Sequence, residues 1–107
     1  MQLQTLQDRP LIPLDSKARG QLRDVFRSLG CCEWLSQTAE EAAELSQAAN
    51  KLRRAYKGLT PVPPEEACYR LAEEAADVLV CLEILRAQGE LDMDDVLDIA
   101  LAKSARW

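Results

Sequence analysis

At 107 residues, the chain has the size of one small domain and no room for two lobes with a cleft between them. Hydrophobic residues make up 48% and charged residues 29%, which supports a core and excludes a disordered tail. The aromatics are few (Phe26, Trp34, Tyr56, Tyr69 and Trp107), so packing falls to Ala and Leu and favours helices. Eighteen acidic against thirteen basic residues give a net charge of −5, with no broad basic face, and no nucleic-acid polymer is expected as a partner.

The chain contains no histidine, which removes Ser-His-Asp and Cys-His catalysis, His-ligated zinc and the Glu-x-x-His di-iron motif. Cys31, Cys32, Cys68 and Cys81 show no C-x-x-C spacing, so neither a zinc ribbon nor a thioredoxin-type site is expected, and reduced thiols in a cytoplasm fit better. The first ten residues lack the basic and apolar regions of a signal peptide, and no apolar run approaches the roughly 20 residues of a membrane span. A cytoplasmic protein without membrane contact is expected.

In chain order, residues 1–14 carry Pro10 and Pro13 without periodicity and read as an extended or loosely packed arm. Residues 15–107 read as one helical domain. Asp15 or Ser16 caps a helix running to about position 29, with Leu22, Val25, Phe26 and Leu29 at helical spacing and Gly30 as its stop. Residues 33–57 contain no Pro or Gly and predict a long helix. The stretch Gly58-Leu59-Thr60-Pro61-Val62-Pro63-Pro64 breaks it, and Glu65 and Glu66 open a third helix, their charge suited to its dipole, that runs to about position 88. Gly89 ends that helix. Asp92 and Asp95 give a cap pattern for a short fourth helix through Val96, Leu97 and Leu101; without an EF-hand glycine or closing acid, the aspartates there read as a cap. Leu52, Leu71, Val80, Leu82 and Leu85 cannot all share one face. The expected fold is therefore an all-α bundle with two long antiparallel helices, its four-helix core completed by dimerisation.

Antiparallel packing has a geometric consequence. With the turn centre near position 60.5, Glu41 and Glu44 reflect to about the level of Glu74 and Asp77, with a mismatch of about three residues or ~4.5 Å. Each acidic pair is spaced i, i+3, so each presents both carboxylates on one side of its helix. Ala42, Ala43 and Ala75, Ala76 allow close approach. Four carboxylates brought together raise one another's pKa unless a cation sits among them, and oxygen-only ligation suits Mg²⁺ or Mn²⁺. Taken singly, each pair also fits an ordinary solvated helix face.

Glu40-Glu41-Ala42-Ala43-Glu44-Leu45 followed by Glu74-Ala75-Ala76-Asp77-Val78-Leu79 resembles the EExxE…ExxD signature of the MazG-like, all-α nucleoside triphosphate pyrophosphohydrolases, a superfamily that includes dimeric dUTPases and dCTPases. The resemblance spans roughly residues 29–106, including the basic stretch after the first motif and Lys103-Ser104-Ala105-Arg106. It implies Mg²⁺ held by Glu41, Glu44, Glu74 and Asp77, cleavage of a nucleoside triphosphate to the monophosphate and pyrophosphate, and a homodimer or homotetramer. The alternative is a non-catalytic helical dimer that binds metal or nucleotide as a regulatory or interaction module.

The remaining candidates have two readings each. Lys51 and Arg54 lie beyond Glu44 on α-helical spacing and reach a polyphosphate, or are solvated cations near a helix C-terminus. Lys103 and Arg106 contact phosphate by the family resemblance, or form a frayed basic tail. Glu40 is a general base for a metal-bound water, or a surface acid. Trp34 belongs to the core, or stacks on a base. Glu73 and Glu83 are expected to be solvated, and Tyr56 and Tyr69 to pack on each other beside the turn.

Overall fold

The computed structural model describes residues 6–107; the first five residues of the expected arm and the side chain of Phe26 lie outside the described residues. Four α-helices follow a 3₁₀ turn at Leu6–Asp8: α1 (Ser16–Ser28), α2 (Cys31–Tyr56), α3 (Pro64–Ala87) and α4 (Met93–Ser104). No strand occurs among the described residues, and the all-α expectation holds. α2 and α3 form the dominant packed pair.

Local chemistry explains where the helices stop. Asp15 caps α1 by accepting from the Ala18 N–H at 2.7 Å, and Asp92 caps α4 by accepting from the N–H groups of Asp94 and Asp95. At the end of α2, Gly58 takes φ +68°. There the Leu59 N–H donates to the Arg54 carbonyl at 2.9 Å and the Gly58 N–H to the Ala55 carbonyl at 3.1 Å, which is the double bond of a Schellman motif. The same motif closes α3 around Gly89, φ +79°: the Glu90 N–H reaches the Leu85 carbonyl and the Gly89 N–H reaches that of Arg86, both at 3.0 Å. Pro64 sits in the first turn of α3, where its missing N–H costs nothing. Gly30 departs from expectation. It does not stop α1 in a left-handed conformation but caps α2 at φ −77°, and Leu29 ends α1 in extended backbone.

Small residues let the two long helices approach. Ala48 and Ala55 on α2 are buried, as are Ala67 and Cys81 on α3. At the end of the pair remote from the turn, Trp34, Ile84 and Leu85 form the core cluster, with Leu22 of α1 and Leu91 packed against it. This settles Trp34: it is a core residue, 7% exposed, and not a platform for a base. Tyr56 and Tyr69 flank the turn but stand 70% and 68% exposed, so they are not the packed pair the sequence suggested.

The arm is more firmly held than its prolines imply. Gln7 donates from its amide to the Arg86 carbonyl at 3.0 Å and accepts from the Met93 N–H at 2.8 Å, tying α3 to α4. Arg86 donates back to the Gln7 carbonyl at 2.6 Å. The Leu11 N–H donates to Glu83 at 2.8 Å. Glu83, expected in solvent, is 3% exposed and pairs with Arg86 at 2.8 Å. The long-range return of the arm, through Leu11, helps to cover it.

Burial works against the charged form of Glu83, but the Arg86 hydrogen bonds and the Leu11 N–H outweigh it and hold the carboxyl below its ordinary pKa. The folded pKa is the lower one, so the stabilisation is present above the unfolded-state pKa and lost as pH falls through the folded value. Glu83→Gln should therefore cost about 2–3 kcal/mol at pH 7, since Arg86 is left partly buried without its counter-charge. Thermal melts should show the gap between wild type and variant narrowing as pH falls below the ordinary carboxylate range; a gap that widens on acidification would contradict the assignment.

Candidate metal centre

Glu41 and Glu44 project from one side of α2, Glu74 and Asp77 from the facing side of α3, and one carboxylate oxygen from each lies within 4.8 Å of all the others. The reflection through the turn thus places the two pairs together as expected. Glu41 and Glu74 are half-buried on the inner side, while Glu44 and Asp77 are exposed at the rim. Ala48, buried one turn beyond Glu44, provides the close helix contact beside them.

The inner acids are incompletely satisfied. Gln37 donates to Oε1 of Glu41 at 2.9 Å, but Oε2 of Glu41 and Oε2 of Glu74 are both buried without a hydrogen-bond partner among the described residues. Burial first, then the neighbouring charges of Glu44 and Asp77, push the Glu41 carboxyl above its ordinary pKa against the opposing Gln37 bond. The effect extends to Cys81 behind the site, whose thiol is pushed up by burial and by Glu41 and Asp77, with a Thr38 hydrogen bond opposing.

These residues fit a hard divalent cation. All four donors are carboxylate oxygens, two buried oxygens lack a partner among the described residues, and one oxygen from each residue lies within 4.8 Å of the others, the oxygen-only donor set that Mg²⁺ or Mn²⁺ takes. Glu41, Glu44, Glu74 and Asp77 are the residues that would hold it. The free thiols of Cys31, Cys32 and Cys68 are exposed and lie outside this cluster.

A groove of about 600 Å³ adjoins the acids and shares Glu44 and Glu74 with them. Lys51 and Arg54 line it from α2, as their spacing suggested, and Thr60 and Val62 close it at the turn. Lys103 and Arg106 are not brought there: they are exposed at the end of α4 and absent from the groove wall. Glu40 is exposed and outside the four-acid cluster, on the flank of α2 that its adjacency to Glu41 dictates. Sequence reasoning missed Gln37, Gln47, Thr60 and Arg70. Arg70 was detectable, because it precedes Glu74 by four residues and so shares its helix face.

No protein-family model, no curated protein and no solved structure matches this chain.

Because the Glu41 carboxyl is raised in the folded state, its ionisation opposes folding: its contribution favours the native state below the ordinary carboxylate pKa and is lost as pH rises through the folded value. In chelator, Glu41→Gln should melt at or above the temperature of wild type at pH 7, and the difference should vanish by pH 4. Added Mg²⁺ should raise the melting temperature of wild type by several degrees through mass action and that of the variant much less. A variant that melts well below wild type in chelator would show that the acids are gathered by structural ion pairs instead.

Proposed function

We propose that the chain is a Mg²⁺-dependent nucleoside triphosphate pyrophosphohydrolase, also able to use Mn²⁺, that converts its substrate to the monophosphate and pyrophosphate. The carrying observation is the juxtaposition of four converging carboxylates, two with unpartnered buried oxygens, and a groove that Lys51 and Arg54 make cationic further along. Opposite charge states laid end to end suit a substrate that is both metal-bound and polyanionic. The EExxE…ExxD resemblance supplies the reaction class.

The chemistry a divalent cation would supply there is charge neutralisation on phosphate oxygens and a lowered pKa for the attacking water. The chain's own residues do the rest. Glu41, Glu44, Glu74 and Asp77 would hold that cation at the helix seam, Glu41 and Glu74 from its half-buried inner side. Lys51 and Arg54 offset charge on the departing pyrophosphate. Glu40, exposed on the neighbouring flank of α2, is the candidate proton acceptor.

Function in this reading requires a second copy. Leu35 on α2 and Leu79 and Val80 on α3 are exposed apolar residues, and a chain of this size has no further element of its own to cover them. A homodimer or homotetramer gathers these surfaces and gives the open groove another wall.

Incubation with a panel of nucleoside triphosphates and Mg²⁺ should yield pyrophosphate and monophosphate, with turnover abolished by chelator and reduced at least 100-fold in Asp77→Asn. Orthophosphate as the primary product, or chelator-resistant turnover, would refute the reaction assigned. Sedimentation at micromolar concentration should show a dimer or larger; a fully active monomer would remove the shared groove.

A further inference from the structure

The groove holds one more cation than the motifs supply. Arg70 lines it from α3, facing Lys51 and Arg54 on α2. Reflection through the turn centre near position 60.5 sets Lys51 opposite Arg70, and the 4-residue step from Arg70 to Glu74 puts this cationic level about 6 Å along α3 from the metal cluster. Three cations on one groove repel one another as the four acids do, and the only counter-charge recorded for Arg70 among the described residues is Glu66, one turn away at 3.3 Å. That pair is 62% and 51% exposed. Exposed i, i+4 pairs are weak and easily exchanged, and Glu66 itself lines the groove.

We propose that Arg70 is a substrate-binding residue whose contact with Glu66 is displaced by phosphate, so that Lys51, Arg54 and Arg70 form one subsite for the terminal phosphates, which depart as pyrophosphate. This rests on the pyrophosphohydrolase reading of the groove. A planar guanidinium offers paired N–H donors to phosphate oxygens, and a dianionic phosphate group is a stronger acceptor than a solvated carboxylate. Glu66 then acts as a competitor: it keeps Arg70 occupied in the empty groove and lowers affinity for any anion entering it.

Inorganic pyrophosphate, titrated calorimetrically in Mg²⁺ against the full chain, tests this without requiring turnover. Arg70→Gln should weaken binding about tenfold, and Glu66→Gln should strengthen it about threefold by removing the competing charge. Arg53→Gln, an exposed cation of α2 outside the groove wall, should change it less than twofold. Thermal melts of all three should stay near wild type, because no buried contact is removed. Equal affinity in wild type and Arg70→Gln would overturn the subsite, as would equal losses in Arg70→Gln and Arg53→Gln, which would mean a diffuse field. If wild type hydrolyses triphosphates while Arg70→Gln binds normally, this inference fails and the reaction stands. If Arg70→Gln weakens pyrophosphate binding in a chain without turnover, the subsite stands and the reaction fails.

Discussion

The antiparallel packing of α2 on α3 is the constraint on which the rest of this chain depends. Helix α2 and helix α3 are each stable in their own terms, built from Ala, Leu, Glu and Arg and closed by glycine motifs at Gly58 and Gly89. Packing them antiparallel through Ala48, Ala55 and Ala67 then forces Glu41, Glu44, Glu74 and Asp77 into one place. Forming the seam brings the acidic cluster with it. A sequence shaped for stability alone would place apolar residues at Glu41 and Glu74, where carboxylate oxygens are buried without partners and cost free energy as charged groups. A divalent cation held there would offset that cost.

The Glu83–Arg86 pair offers the contrast that makes this reading specific. It too is acidic, on α3 and buried, but its charges are matched: Arg86 and the Leu11 N–H occupy both carboxylate oxygens, and the pKa moves down where that of Glu41 moves up. Glu83 on α3 and Glu41 on α2 thus show two fates of a carboxylate oxygen held out of solvent: one is satisfied by the protein and fastens the arm, and the other has no partner among the described residues.

Most of the fold was legible because it rests on local signals. Proline and glycine mark the turn at residues 58–64, Asp15 and Asp92 announce caps, and the unbroken 33–57 stretch gives a helix. The acidic cluster was legible for a different reason: two antiparallel helices with a short turn convert sequence separation into height, so i, i+3 spacing was enough to bring the two pairs together. What escaped were the features set by distant segments. Glu83 is covered by residues more than seventy positions earlier in the chain, and no periodicity on α3 encodes that. Gly30 was misplaced because a glycine between two helices can serve either as the end of one or the start of the next, and only backbone conformation distinguishes them. Lys103 and Arg106 followed a family pattern, while their position in and just after the last turn of α4 depends on how that helix sits against the rest.

The central claim is that the helix seam is a cation site, with the groove beside it serving as the anion site. Crystals grown or soaked with Mn²⁺ test this most directly through the anomalous signal of the metal. A peak should stand among the Glu41, Glu44, Glu74 and Asp77 carboxylates, within about 2.0–2.3 Å of their oxygens, and should be lost in Asp77→Asn. Ordered Mn²⁺ elsewhere on the chain with an empty seam, or lysine or arginine side chains filling the seam in its place, would contradict the account.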